Sequence, residues 1–218
     1  MTALARGAKL PRMRRFSISL ALALGLSPVG AFAGSYTPPP GYSSPNARAA
    51  PEEPVETSPA KRIDRLYQRL AKTRYSDEAA GILGEIDRER AQSGSDAADL
   101  LYGRARKARE SANLPLALQL FDAVVDLNPQ WSEAWSARAT ARFQSGDVKG
   151  AMGDLAQTLK REPRDVGALA GLGAILLDSD DPEGALRAYE RALALAPAFE
   201  PLKEAHARAQ NKVWSRSP

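Results

Sequence analysis

From Lys61 onward, apolar residues return every three or four positions. Ile63, Leu66, Tyr67 and Leu70 stand at i, i+3, i+4 and i+7, and Ala79, Ile82, Leu83 and Ile86 repeat that spacing. This spacing collects apolar side chains on one side of an α-helix, so it predicts two amphipathic helices. They separate near Tyr75-Ser76-Asp77, where Ser76 is the expected N-cap. No stretch sustains the apolar/polar alternation of a half-buried strand. The expected fold class is all-α.

Further along, the pattern copies itself at a fixed interval. Ala117, Ala151 and Ala185 share that interval, as do Pro129, Pro163 and Pro197, then Leu118, Met152 and Leu186, then Phe121, Leu155 and Tyr189, and Leu101, Trp135 and Leu169. Ala105, Ala139 and Gly173 extend the series with small residues only. Units at 98–131, 132–165 and 166–199 follow without insertion or deletion. In the middle unit the first helix carries Trp135 and, four residues on, Ala139. The second carries Ala151, Met152, Leu155 and Leu159. Small residues let two antiparallel helices approach while large ones fill the seam. Gly146-Asp147 breaks the chain between them, and Pro163 stops the second helix. One such pair cannot bury its apolar face alone, so neighbours must stack.

These units resemble tetratricopeptide repeats, best in the middle copy with Trp135, Ala139, Gly146, Ala151 and Pro163. The third copy departs at the turn, with Asp180-Asp181-Pro182, and the first has Ala112-Asn113. Tyr67 and Ala71 lie one period before Leu101 and Ala105, so 61–97 resembles a degenerate N-terminal helix pair, expected to act as a cap. Residues 200–218 supply a C-terminal capping helix with the stripe Leu202, His206, Ala209 and Val213. The resemblance implies a right-handed superhelical solenoid whose concave face holds a peptide or partner protein. The groove would then be lined by Tyr102, Arg106 and Arg109, by Ser136, Thr140 and Phe143, and by Ala170, Ala174 and Leu177. This lining grades from basic and aromatic to small and apolar, which suits a ligand with an acidic end and an apolar end. The family's clamp for C-terminal carboxylates adds asparagines, and the expected groove has none.

Arg104 and Arg138 stand where the family usually has a buried leucine. A buried guanidinium needs a partner; Asp122, Asp126 and Asp154 are the candidates. The pair reads either as an internal polar ladder or as a basic shelf reaching the groove. Trp131 and Trp214 are expected to cover core at unit edges, and His206 to sit at the boundary of its helix's apolar stripe.

Charge and composition then narrow the classes. The chain has 218 residues, no cysteine and one histidine, with net charge +4. Arg6, Lys9, Arg12, Arg14 and Arg15 supply five positive charges before Ala33 with no acid among them, so the remainder carries about −1 and does not read as a nucleic-acid binder. Those bases precede an apolar run, Phe16 to Leu26, and the small-x-small triplet Ala31-Phe32-Ala33, the parts of a secretory signal peptide at 1–33. The run is shorter than the ~20 residues a spanning helix needs. Residues 34–60 contain seven prolines and little aliphatic bulk, the composition of a disordered tether. That tether reads as a spacer or as a docking site for a proline-binding module. With no nucleophile–base pair, metal set or phosphate loop, the sequence predicts no catalytic residues, no metal and no cofactor. The expectation is a non-enzymatic adaptor in the bacterial periplasm, monomeric or weakly self-associating, with no membrane anchor after cleavage. The alternatives are a hydrolase-type enzyme of envelope or polysaccharide metabolism using paired carboxylates, or a self-assembling repeat protein.

Overall fold

Each unit's turn is built by the same two backbone devices. Asn113, Asp147 and Asp181 precede second helices, and their side chains accept from the N–H groups of Leu116, Gly150 and Gly184 at 3.3, 2.8 and 2.8 Å. Those bonds satisfy donors that a helix start leaves free. Just before each cap, Ala112, Gly146 and Asp180 take φ of 58°, 88° and 67°, the left-handed conformation that reverses the chain. Glycine accepts that conformation freely, aspartate tolerates it, and alanine is strained there.

A computed structural model describes residues 58–216. Nine helices occupy them: α1 (Pro59–Lys72), α2 (Ser76–Arg90), α3 (Asp96–Glu110), α4 (Leu114–Leu127), α5 (Ser132–Gln144), α6 (Val148–Arg161), α7 (Val166–Asp178), α8 (Pro182–Leu195) and α9 (Glu200–Trp214). No strand occurs among the described residues. The signal peptide and residues 34–57 of the tether lie outside them. The helix starts at Pro59, inside the stretch assigned to the tether, because proline's fixed φ and missing N–H suit a first helical turn.

The pairs α3–α4, α5–α6 and α7–α8 are hairpins stacked in serial order, and α9 packs on α8 and α7. Ala105, Ala117, Ala139, Ala151 and Ala185 are all buried where the paired helices cross. At Gly173 the approach is closest: a Cβ would stand 2.7 Å from the Tyr189 ring. First helices also touch along the array, α3 against α5 and α7 against α9, so they form the inner, concave row. Trp131 is buried, but Trp214 is 78% exposed and covers no core.

The helix pair at 61–97 forms, yet it does not cap the array by stacking on α3–α4. Leu66, Tyr67, Leu70, Ile82 and Ile86 share one core with Val166, Leu169, Tyr189, Leu202 and Ala205. α2 runs along the row of first-helix N-termini, against the order of the units. Its first residue, Ser76, accepts from the Glu200 N–H at the start of α9 (3.1 Å), and its last, Arg90, reaches Asp165 before α7 and Ser132 at the start of α5. Ser76 therefore serves α9, while Tyr75 occupies the cap position of α2. Sequence register also disfavours stacking on α3–α4. One period before Asp122 stands Arg88, which stacking would bring against Arg104, and like charges repel across such a contact.

Ala112→Gly relieves the strained turn at little entropic cost and is expected to stabilise the protein by about 0.5–1 kcal/mol. Urea unfolding checks this; a loss of stability contradicts the turn geometry.

Candidate functional site

The concave face is more selective than its sequence outline. Tyr102 does not line it: the ring is buried against Phe121 and Trp131, centroids 5.9 and 4.7 Å away, and its hydroxyl donates to Glu133 at 2.8 Å. An aromatic at this place fills the seam between two units, which periodicity alone does not distinguish from groove. Arg106 is exposed and pairs within its helix with Glu110 at 3.5 Å. Arg109 is half-buried, and its Nε–H is buried with no acceptor among the described residues. Phe143 is 37% exposed and Thr140 is exposed, its hydroxyl donating back to Ser136. Ser136, Ala170, Ala174 and Leu177 are half-buried, and the Leu177 carbonyl accepts from Lys212 of α9. Of the expected groove residues only Tyr102 is buried; Arg106, Thr140 and Phe143 are exposed, and Arg109 keeps partial exposure alongside Ser136, Ala170, Ala174 and Leu177.

Arg138 and Arg104 part company. Arg138 is buried; its Nε and Nη2 donate to Asp154 at 2.9 and 2.8 Å, and its Nη1 donates to Asp122 of the preceding unit at 2.8 Å. Arg142 adds a 3.0 Å contact to the same Asp154, and Arg138 and Arg161 lie on the Trp135 ring. Arg138 is therefore an internal ladder residue, as its burial requires. Arg104 is exposed, because among the described residues no unit stacks before it and Leu120 stands where Asp154 would be. His206 is half-buried, its Nε2 lying 3.8 Å from Glu190.

A second buried cluster carries no sequence motif. Arg90 Nη2 donates to Asp165 at 2.5 Å and lies 3.8 Å from Glu133, while Trp131 Nε1 donates to the Arg90 carbonyl at 2.8 Å. Burial opposes the Arg90 charge, but Asp165 beside it outweighs burial and holds the guanidinium above its ordinary pKa. Burial pushes the Glu133 carboxyl up to about 7, with Asp165 and Asp87 adding to the rise and Arg90 opposing it. Asp165 also caps α7, accepting from Ala168 N–H at 2.8 Å. An aspartate ahead of a helix is a cap that local sequence can show. Its pairing with Arg90, in a different helix pair far back along the chain, is not.

Among known proteins, a tetratricopeptide repeat profile matches residues 166–199. A TPR repeat-containing protein of Rhizobium etli is 36% identical over 174 residues, covering 80% of this chain and 85% of that one. The chain belongs to the tetratricopeptide repeat proteins. Tetratricopeptide repeat protein 36 of Danio rerio is 35% identical over 94 residues, 41% of this chain and 50% of that one. Among solved structures, the first TPR of Spaghetti bound to an HSP90 peptide superimposes with TM-score 0.52 at 20% identity, covering 53% of this chain and 92% of that one. The MamA protein gives 0.52 at 15% identity, over 72% and 85%. At these identities the structural likenesses speak for the fold.

Within this tetratricopeptide repeat protein, the equivalent arginines Arg138 and Arg104 make separable predictions. Arg138→Leu leaves Asp154, 2% exposed, short of its main partner, and is expected to cost about 3 kcal/mol. Arg104→Leu, at the equivalent but open position, is expected to cost under about 0.5 kcal/mol. Denaturant titration of both checks the assignment; equal losses contradict it.

Glu133 carries a pH signature. Its pKa rises from 4.5 in the unfolded chain to about 7 in the fold, so the native state holds more protons between those values. The contribution of Glu133 to stability is thus greatest below about pH 4.5 and falls as pH climbs from about 4.5 to 7. In Glu133→Gln this decline is expected to shrink, with the Tyr102 hydrogen bond kept; unfolding at pH 5 and pH 8 measures it, and an unchanged slope contradicts it.

Proposed function

We propose that this protein is an exported, non-enzymatic adaptor that holds a peptide or helix of a partner protein against its concave face. The observation carrying this reading is Arg109, whose buried Nε–H finds no acceptor among the described residues. A buried donor left unsatisfied is costly, and a ligand carboxylate or carbonyl would relieve it. Arg106 and Phe143 stand on the same face, so the ligand that suits it joins an acidic end to an apolar one. The fold-related Spaghetti domain holds the peptide SRMEEVD, which is acidic as well. Family membership supports the protein-binding role, since tetratricopeptide repeat proteins typically mediate protein–protein contacts.

Export rests on the five bases, the apolar run and Ala31-Phe32-Ala33, in the order a signal peptide requires. The periplasm is the compartment proposed. Carboxylate catalysis draws no support from the geometry, because Glu133 and Asp165 both face Arg90.

Affinity-tagged chain recovered from the periplasmic fraction, beginning at Gly34, is expected to bring down a partner protein. Replacing Arg106, Arg109 and Phe143 together by alanine should reduce that recovery about tenfold or more without lowering the melting temperature. Equal recovery by the variant sinks the groove assignment, and tagged chain retained in the cytoplasm with residues 1–33 attached sinks export.

A further inference from the structure

Inside the array, each unit's leading face is covered by the second helix of the unit before it. Ala134, Ala168 and Leu202, equivalent positions in α5, α7 and α9, are all buried, as are Ala141, Ile175 and Ala209 seven residues on. In α3 the same two positions are Leu100 and Lys107, both exposed, with Arg104 exposed between them. α4 adds Leu127, whose counterpart Arg161 reaches back to the Pro129 carbonyl of the preceding unit. Leu100 is 58% exposed and Leu127 51% exposed. An apolar face that also carries two bases is thus left open, among the described residues, at the end of the array before α3–α4.

The interior contacts show what such a face accepts. Arg138 meets Asp122 and His206 meets Glu190, in both cases a base facing an acid on the preceding second helix. Where the base is replaced by Leu172, the equivalent preceding residue is Ala156. Each acid lies between apolar residues on one helical line: Leu118, Asp122 and Val125, then Leu186, Glu190 and Leu193. The apolar members share the cores of the units that follow. A base at this position therefore faces an acid both times it occurs, and the one apolar residue there faces an apolar one.

We propose that the open α3–α4 face around Arg104 docks an amphipathic helix of another protein, one carrying an aspartate or glutamate four residues after one apolar residue and three before another. The chain's own α1–α2 hairpin is unsuited, since it offers Arg88 at the acid's place. A second copy related by a two-fold axis would set the patch against itself and gather two Arg104 and two Lys107 in one interface, which is repulsive. This surface is separate from the concave groove and does not depend on it.

The test uses the full chain and a fluorescein-labelled peptide copying residues 182–195, stapled through positions 184 and 188 on the face away from Leu186, Glu190 and Leu193. Saturable binding is expected by anisotropy. Arg104→Glu should weaken it about tenfold, Leu100→Ser with Leu127→Ser should do likewise, and a peptide with Glu190→Arg should recover affinity on Arg104→Glu. The substituted residues are exposed, so folding is preserved, and the charge-reversed pair guards against a merely misfolded variant. Absence of saturable binding, or binding indifferent to these changes, overturns the proposal. A concentration-dependent dimer in sedimentation velocity that Arg104→Glu abolishes assigns the face to a second copy and likewise overturns it. So does peptide affinity that rises about tenfold when residues 34–57 are removed, which assigns the face to the chain's own N-terminal segment.

Discussion

Two helices approach closely only if something small lies where their axes cross. Here that condition is met by one column in the first helices (Ala105, Ala139, Gly173) and one in the second (Ala117, Ala151, Ala185). Close crossing leaves each hairpin thin, with apolar residues on both of its broad sides, so no hairpin is complete alone. Stacking follows from this, as do the curvature that turns the first helices inward and the burial of polar residues between units. Asp154 and Arg138 are tolerated in that interior because they satisfy each other in a bidentate geometry.

The repeat array was readable because its causes are local and periodic. Small residues, a left-handed turn position, an Asx cap and a terminal proline recur in the same order, each with its own steric or hydrogen-bonding reason. Arg138's partners were readable for the same reason, since a buried charge needs a carboxylate within reach; of the three candidates Asp122 and Asp154 pair with it, and Asp126 does not. The pairing failed at Arg104, although the register held that information too: one period before Asp154 and Asp122 stand Leu120 and Arg88.

Other features are not local. Periodicity shows that α1 and α2 each have an apolar side; it does not show which surface covers that side. Tyr102 was assigned to the groove by helical position, but a ring that large fills the space between Phe121 and Trp131 more favourably than it lines a cleft. The Arg90 cluster joins segments with no shared motif. Groove side chains are the least legible of all, because solvent-facing positions carry no packing constraint that the sequence must record.

In an ordinary solenoid every repeat touches only its neighbours, and the chain can unravel from either end like a one-dimensional lattice. The α2 helix changes that dimensionality. By bonding to the starts of α5, α7 and α9, it closes loops of 75 residues at Asp165 and 124 at Glu200, and α1 adds one of 100 between Asp64 and Arg164. Terminal fraying of α9 then has to break contacts made near the beginning of the described chain. Opening at the C-terminal end is thereby coupled to the beginning of the described chain, at the cost of slower folding, since such long loops must close before their contacts contribute. For the exported role proposed above, beyond the reach of cytoplasmic chaperones, a C-terminal end that does not open one hairpin at a time is an advantage.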